Sequence, residues 1–135
     1  MLPAMAVNNT ILLVDDDADD RMLFSAAFAE VNKDHLLIQL ENGQQLLQYL
    51  DEKIPITPRL IVMDSHMQII DGEEACRKIK NNKNYARIPV IVYSGSSSSF
   101  QQEPVLKWGA NAYVQKPNTY EKTVEIVKSI LLLYG

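Results

Sequence analysis

Apolar positions follow two interleaved rhythms along this chain. Five short runs rich in Val, Ile, Leu and Tyr predict β-strands at Ile11–Val14, Leu36–Leu40, Leu60–Met63, Val90–Tyr93 and Ala112–Gln115. Three of them (ILLV, LIVM and VIVY) are apolar without alternation, the pattern of strands covered on both faces of a parallel sheet. Between the runs, apolar residues recur at helical spacing and predict five helices. Their faces are Phe24, Ala27, Phe28 and Val31; Leu46, Leu47 and Leu50; Ala75, Cys76 and Ile79; Val105, Leu106 and Trp108; and Val124, Val127, Ile130 and Leu131. Breakers fall at the joins: Asn42-Gly43, Pro55 and Pro58, Asp71-Gly72, Pro89 and Gly109. This alternation implies an α/β fold, a doubly wound parallel sheet with right-handed crossovers. Residues 1–9 read as a short N-terminal tail and 10–135 as one domain, with no repeat and no linker to an output domain.

In such sheets a site lies beyond the carboxyl ends of the strands. After the first strand come Asp15, Asp16 and Asp17, then Asp19 and Asp20; Asp64 follows the third strand, Ser94 and Gly95 the fourth, and Lys116 the fifth. Converging carboxylates repel one another and raise each other's pKa unless a cation sits among them. An all-oxygen set without a Cys or His cluster points to Mg²⁺, with Mn²⁺ or Ca²⁺ as alternatives. Asp64, closing an apolar strand, suits a carboxylate nucleophile in phosphoryl transfer. Lys116 would supply a compact positive charge opposite the metal, and Ser94 a hydroxyl donor. Taken singly, these residues have plainer uses: Asp17 can cap the first helix, and Ser96–Ser99 can be a loop without chemistry. Their coincidence at matching strand ends favours a site.

Bulk properties narrow the partners. With 135 residues, 47% hydrophobic, 22% charged and a net charge of −4, the chain is one globular domain without a basic field for DNA or RNA. A lone Cys76 and the lack of Lys or Arg before Thr10 favour the reducing cytoplasm over secretion. No apolar run approaches the roughly 18 residues that span a bilayer, so no membrane contact is expected.

Four ordered segments then carry a resemblance to the receiver domains of two-component response regulators, from about Thr10 to the last helix. They are ILLVDDDADD, LIVMDSHMQIIDG, IPVIVYSG and GANAYVQKP. The resemblance implies a CheY-like, flavodoxin-like fold with strand order 2-1-3-4-5. Asp64 would take a phosphoryl group from the phosphohistidine of a sensor histidine kinase or histidine phosphotransfer protein. Asp16 would bind Mg²⁺ directly, Asp15 largely through water, and the His66 carbonyl would add a ligand. Lys116 would pair with Asp64 and then with the phosphoryl group, Ser94 would bond a phosphoryl oxygen, and Tyr113 would turn inward, reshaping the surface for a downstream effector. Such a protein is a signalling switch and not an enzyme, a monomer or a phosphorylation-dependent dimer.

Some positions depart from the family's habit. Met67-Gln68 replaces Met-Pro, which makes the turn after Asp64 less rigid. His66 stands where Asn is frequent, and Gly95 follows Ser94 where Ala is common. Pro104 fits only the first turn of a helix, so the fourth helix should be short or start late. His35 is remote from the site, and Cys76 and Trp108 read as packing residues. Two rivals remain: a phosphatase-like hydrolase, against which His66 stands two residues after Asp64 where a carboxylate acid/base would be, and a phosphorylation-independent interaction module.

Overall fold

A computed structural model describes residues 6–32, 34–54, 56–95 and 102–135. Pro55 and the serines at 96–99, both singled out above, lie outside them. The described elements run β1 (Ala6–Val7), β2 (Thr10–Val14), α1 (Ala18–Val31), β3 (Leu36–Leu40), α2 (Gly43–Lys53), β4 (Ile56–Thr57), β5 (Leu60–Met63), α3 (Gly72–Lys80), β6 (Val90–Ser94), α4 (Gln102–Lys107), β7 (Ala112–Gln115) and α5 (Tyr120–Tyr134).

Five strands form a parallel sheet in the order β3-β2-β5-β6-β7, which is 2-1-3-4-5 when the strands of that sheet are counted alone. Within the segment read as a tail, Ala6–Val7 pairs in parallel with Ile56–Thr57 to make a separate two-stranded sheet. Asn8 extends that pairing by donating its backbone N–H to the Thr57 carbonyl at 3.1 Å. Two-residue strands are too short to show the period-2 pattern that marks the longer ones.

The apolar runs separate by alternation. Leu12, Val14, Ile61, Met63, Val90 and Val92 point to one face, where they pack with Leu46 and Leu50 of α2, Ala75, Cys76 and Ile79 of α3, and Val105 of α4. Ile11, Leu13, Leu60, Val62, Ile91 and Tyr93 point to the other, against Phe24, Ala27 and Phe28 of α1 and Val127 and Ile130 of α5. Every residue of β2, β5 and β6 is buried, as their unbroken apolar runs require, and each fully buried Leu or Ile contributes about 1.5–3 kcal/mol. Cys76 is fully buried, and burial pushes its thiol pKa up to about 11, the state of a packing residue.

Capping side chains start four of the helices. Asp17, Asn42, Asp71 and Thr119 each accept a hydrogen bond from a backbone N–H in the first turn of α1, α2, α3 and α5. Each such cap is worth about 1 kcal/mol. Among the described residues the fourth helix spans Gln102–Lys107, with Pro104 in its first turn, where the missing N–H is tolerated. At the far end of the sheet the Lys80 ammonium binds the carbonyls of Ala86 (3.3 Å) and Ile88 (2.6 Å) and Asn111 Oδ1 (3.0 Å). The same Asn111 oxygen accepts the Val90 N–H at 2.9 Å. These bonds tie the starts of β6 and β7 to the end of α3.

Among the described residues, no helix is long and apolar enough to cross a membrane.

Candidate functional site

Register decides which side chains meet. Val14 of β2 pairs with both Leu40 of β3 and Met63 of β5, so these strands end level. Asp15 and Asp64, one residue further on, therefore stand side by side, and the Asp64 N–H donates to the Val14 carbonyl at 2.9 Å. Ser94 pairs with Gln115 at the ends of β6 and β7, and Lys116 follows with its N–H on the Ser94 carbonyl at 2.8 Å. Parallel strands thus deliver Asp15, Asp64, Ser94 and Lys116 to one edge from distant parts of the chain.

Asp15, Asp16 and Asp64 offer one carboxylate oxygen each within 4.8 Å of one another. That all-oxygen set fits a hard divalent cation, which takes one or two carboxylates and completes its shell with water or ligand oxygens. Asp15 is buried and Asp16 exposed, which places one carboxylate at the floor of the group and one at its rim. Burial is the main influence on Asp15 and pushes its pKa up to about 6, against the opposing pull of Lys116 and the Asp17 N–H.

Beside this group lies the Lys116 ammonium, 2.7 Å from Asp15 Oδ2, 2.9 Å from Asp64 Oδ2 and 2.8 Å from Asp20 Oδ2. An ammonium has three N–H donors, and here each meets a carboxylate. Burial opposes the charge on Lys116, but its hydrogen bonds to Asp15, Asp20 and Asp64 outweigh that and raise its pKa above that of an ordinary lysine. The amine also stands 5.9 Å from the ring centroid of Tyr93, which is braced edge-on by Phe24 with centroids 5.5 Å apart. Burial pushes the Tyr93 hydroxyl up to about 12, so it stays neutral beside the cation.

The remaining bonds hold the floor in place. The Ser94 hydroxyl, fully buried, shares a 2.8 Å hydrogen bond with the Ser65 hydroxyl. Asp64 Oδ1 accepts the His66 N–H at 3.2 Å, and Asp15 Oδ1 accepts the Asp17 N–H at 2.9 Å. Arg21 donates to the Asp15 carbonyl at 2.6 Å. A Cβ on Gly72 would lie 2.7 Å from the Asp64 carbonyl oxygen, so only glycine lets α3 begin this close behind the site. The loop between them contains Ile69, exposed, with φ +69° and a 2.8 Å bond from the Ile70 N–H to the Gln68 carbonyl across it. A bond spanning one residue at positive φ is the strained form of γ-turn.

The structure thus gathers Asp15, Asp16, Asp64 and Lys116, with Ser94 linked to them through its backbone bond to Lys116 and its hydroxyl bond to Ser65. His66 is exposed and touches Asp64 through its backbone. Tyr113 is half-buried and packs on the α2–α3 side of the sheet, with burial first and the nearby Asp64 charge second raising its pKa. Sequence reasoning gave no role to Asp20, Ser65 or Tyr93. The one sequence signal for Asp20 is its place three residues after the capping Asp17, which starts α1 so that the first turn faces Lys116.

The chain matches the family described as "Response regulator receiver domain" over residues 11–128. A curated relative, the probable methanogenesis regulatory protein FilR2 of Methanothrix harundinacea, is 30% identical, covering 90% of this chain and 83% of its own. Some relatives are much longer: the chain spans 8% of the histidine kinase P4 of Formosa agariphila. Among solved structures, the Mn²⁺-bound form of response regulator Rcp1 is 28% identical with a TM-score of 0.80 over 91% of both chains. The phosphorylated cyanobacterial phytochrome response regulator RcpA is 27% identical with a TM-score of 0.85 over 94% of both. A family match over most of the chain, carried on a sheet that brings three acidic groups and a lysine to one edge, makes this chain a member of the response regulator receiver domains of two-component systems.

Proposed function

We propose that this receiver accepts a phosphoryl group on Asp64 from the phosphohistidine of a sensor histidine kinase or histidine phosphotransfer protein, in a Mg²⁺-dependent reaction, and so changes the surface it offers to an effector. The observation that carries the reading is the Lys116 ammonium seated on Asp64 beside the carboxylates of Asp15 and Asp16. Receiver domains as a family pair with such kinases and effectors. Mn²⁺ in Rcp1 and phosphorylation of RcpA, two relatives of the same fold, support a divalent ion and a phosphoryl group here. Residues 10–135 would form the working domain.

In this reading Asp16, Asp15 and Asp64, with the His66 carbonyl, would hold the metal, which when bound would supply positive charge to offset that of the phosphoryl oxygens. An Asp64 carboxylate oxygen forms the new bond to phosphorus as the bond to the donor imidazole nitrogen breaks. Lys116 moves from Asp64 onto a phosphoryl oxygen, supplying fixed positive charge where negative charge accumulates. Ser94 gives up part of its buried bonding to Ser65 and donates to another phosphoryl oxygen. The space it leaves is open to Tyr113, whose reorientation alters the face formed by α4, β7 and α5. Phosphorylation acts by shifting an existing equilibrium and not by building a new fold.

The test is intact mass after incubation with Mg²⁺ and acetyl phosphate. The protein should gain one phosphoryl group, Asp64→Asn should gain none, and a chelator should block the gain. No gain in the wild-type chain with metal present would overturn the reading.

A further inference from the structure

The third carboxylate on Lys116 has no place in the reaction just described. Asp20 projects from the first turn of α1, lies outside the group formed by Asp15, Asp16 and Asp64, and yet meets the ammonium at 2.8 Å, as short as the other two bonds. Its side chain is 35% exposed, against 3% for Asp15 and 10% for Asp64, so it is the partner with room to move and the best access to water.

The other two partners serve two masters. Asp15 and Asp64 each give one oxygen to Lys116 and belong to the carboxylate group that fits a divalent cation. When positive charge enters among Asp15, Asp16 and Asp64 it repels the ammonium and weakens its hold on the shared carboxylates. Asp20 is then the one carboxylate of the three committed to the amine alone. We propose that Asp20 is a positioning residue, a berth that keeps the Lys116 ammonium at the site when the metal claims Asp15 and Asp64, and that competes for it when a phosphoryl oxygen needs it.

Two opposite consequences follow. Removing the Asp20 charge leaves Lys116 without a partner of its own, so the ammonium stays on Asp15 and Asp64 and metal binding weakens. Once metal is saturating, the same change removes a competitor for the amine and a negative charge near the incoming anion, so binding of a phosphoryl mimic tightens. A residue that merely stabilised the local fold would weaken both. The first consequence needs only the geometry of the acidic group; the second rests on the reading of Asp64 as phosphoacceptor.

The experiment compares wild type, Asp20→Asn and Asp20→Glu by two readouts. Mg²⁺ titration should give an affinity about two- to fivefold weaker for Asp20→Asn, the range of a partly exposed ion pair. Beryllofluoride titration at saturating Mg²⁺ should give an affinity tighter by about the same factor. Asp20→Glu, which keeps the charge, should restore both toward wild type. Parallel loss of both affinities, or no change in either, would overturn the proposal. Wild-type protein that binds Mg²⁺ but not beryllofluoride would overturn the function assigned to Asp64 and the second consequence with it. The Mg²⁺ titration would then still decide whether Asp20 holds the amine.

Discussion

Ile69 occupies a backbone conformation that a β-branched residue seldom tolerates, with φ +69° and its side chain 71% exposed. No buried contact compensates the strain, so its cost is relieved by a residue that accepts positive φ. Ile69→Asn is expected to raise stability by about 0.5–1 kcal/mol, read as a higher urea midpoint at unchanged slope. Asp15 sets a pH dependence of the opposite kind to an ordinary paired aspartate. Its folded pKa, about 6, lies above the ordinary aspartate value, so the folded metal-free protein binds the proton first. Stability should therefore fall as pH rises through that interval, and Asp15→Asn should flatten the slope in denaturant titrations across it. If Asp15 takes part in holding a metal as proposed, its protonation would oppose binding, so Mg²⁺ affinity should drop as pH falls through about 6. The residues legible from sequence were those whose position on a strand end is itself a sequence pattern: Asp64 after LIVM, Lys116 after Ala112–Gln115. Asp20 was not, because it sits in a helix and not at a strand end, and the helical phase that aims it at Lys116 is set by a cap.

At the level of elements, long apolar runs were read well and short or irregular pieces were not. The runs Leu36–Leu40, Leu60–Met63 and Ala112–Gln115 are strands with those bounds, and the other two gain one polar residue each, Thr10 and Ser94. Those additions are the positions at which a strand continues its backbone ladder after its apolar pattern has ended. The pairing of Ala6–Val7 with Ile56–Thr57 had no such pattern to reveal it, since both segments are two residues long. Pro104 stands in the first turn of α4 as described, a position where a residue without an N–H is tolerated. The face that α1 and α5 cover and the face that α2, α3 and α4 cover follow from alternation along the strands combined with right-handed crossovers.

Over the whole molecule, everything that distinguishes this chain chemically lies at one edge of the sheet, and the opposite edge is built to stay put. Lys80 and Asn111 tie together the starts of β6 and β7, while Ser94 and Lys116 stand at their finishes. Strands clamped at their origins respond to a load at their tips as levers about a fulcrum, so small displacements grow toward the reactive end and fade toward the anchor. Amide hydrogen exchange with and without beryllofluoride should consequently show unchanged protection at Val90 and Asn111 and altered protection near Ser94 and Gln115. The message would leave the protein by tilting, along the length of two strands, with its pivot near the amine of a lysine that never meets the phosphoryl group.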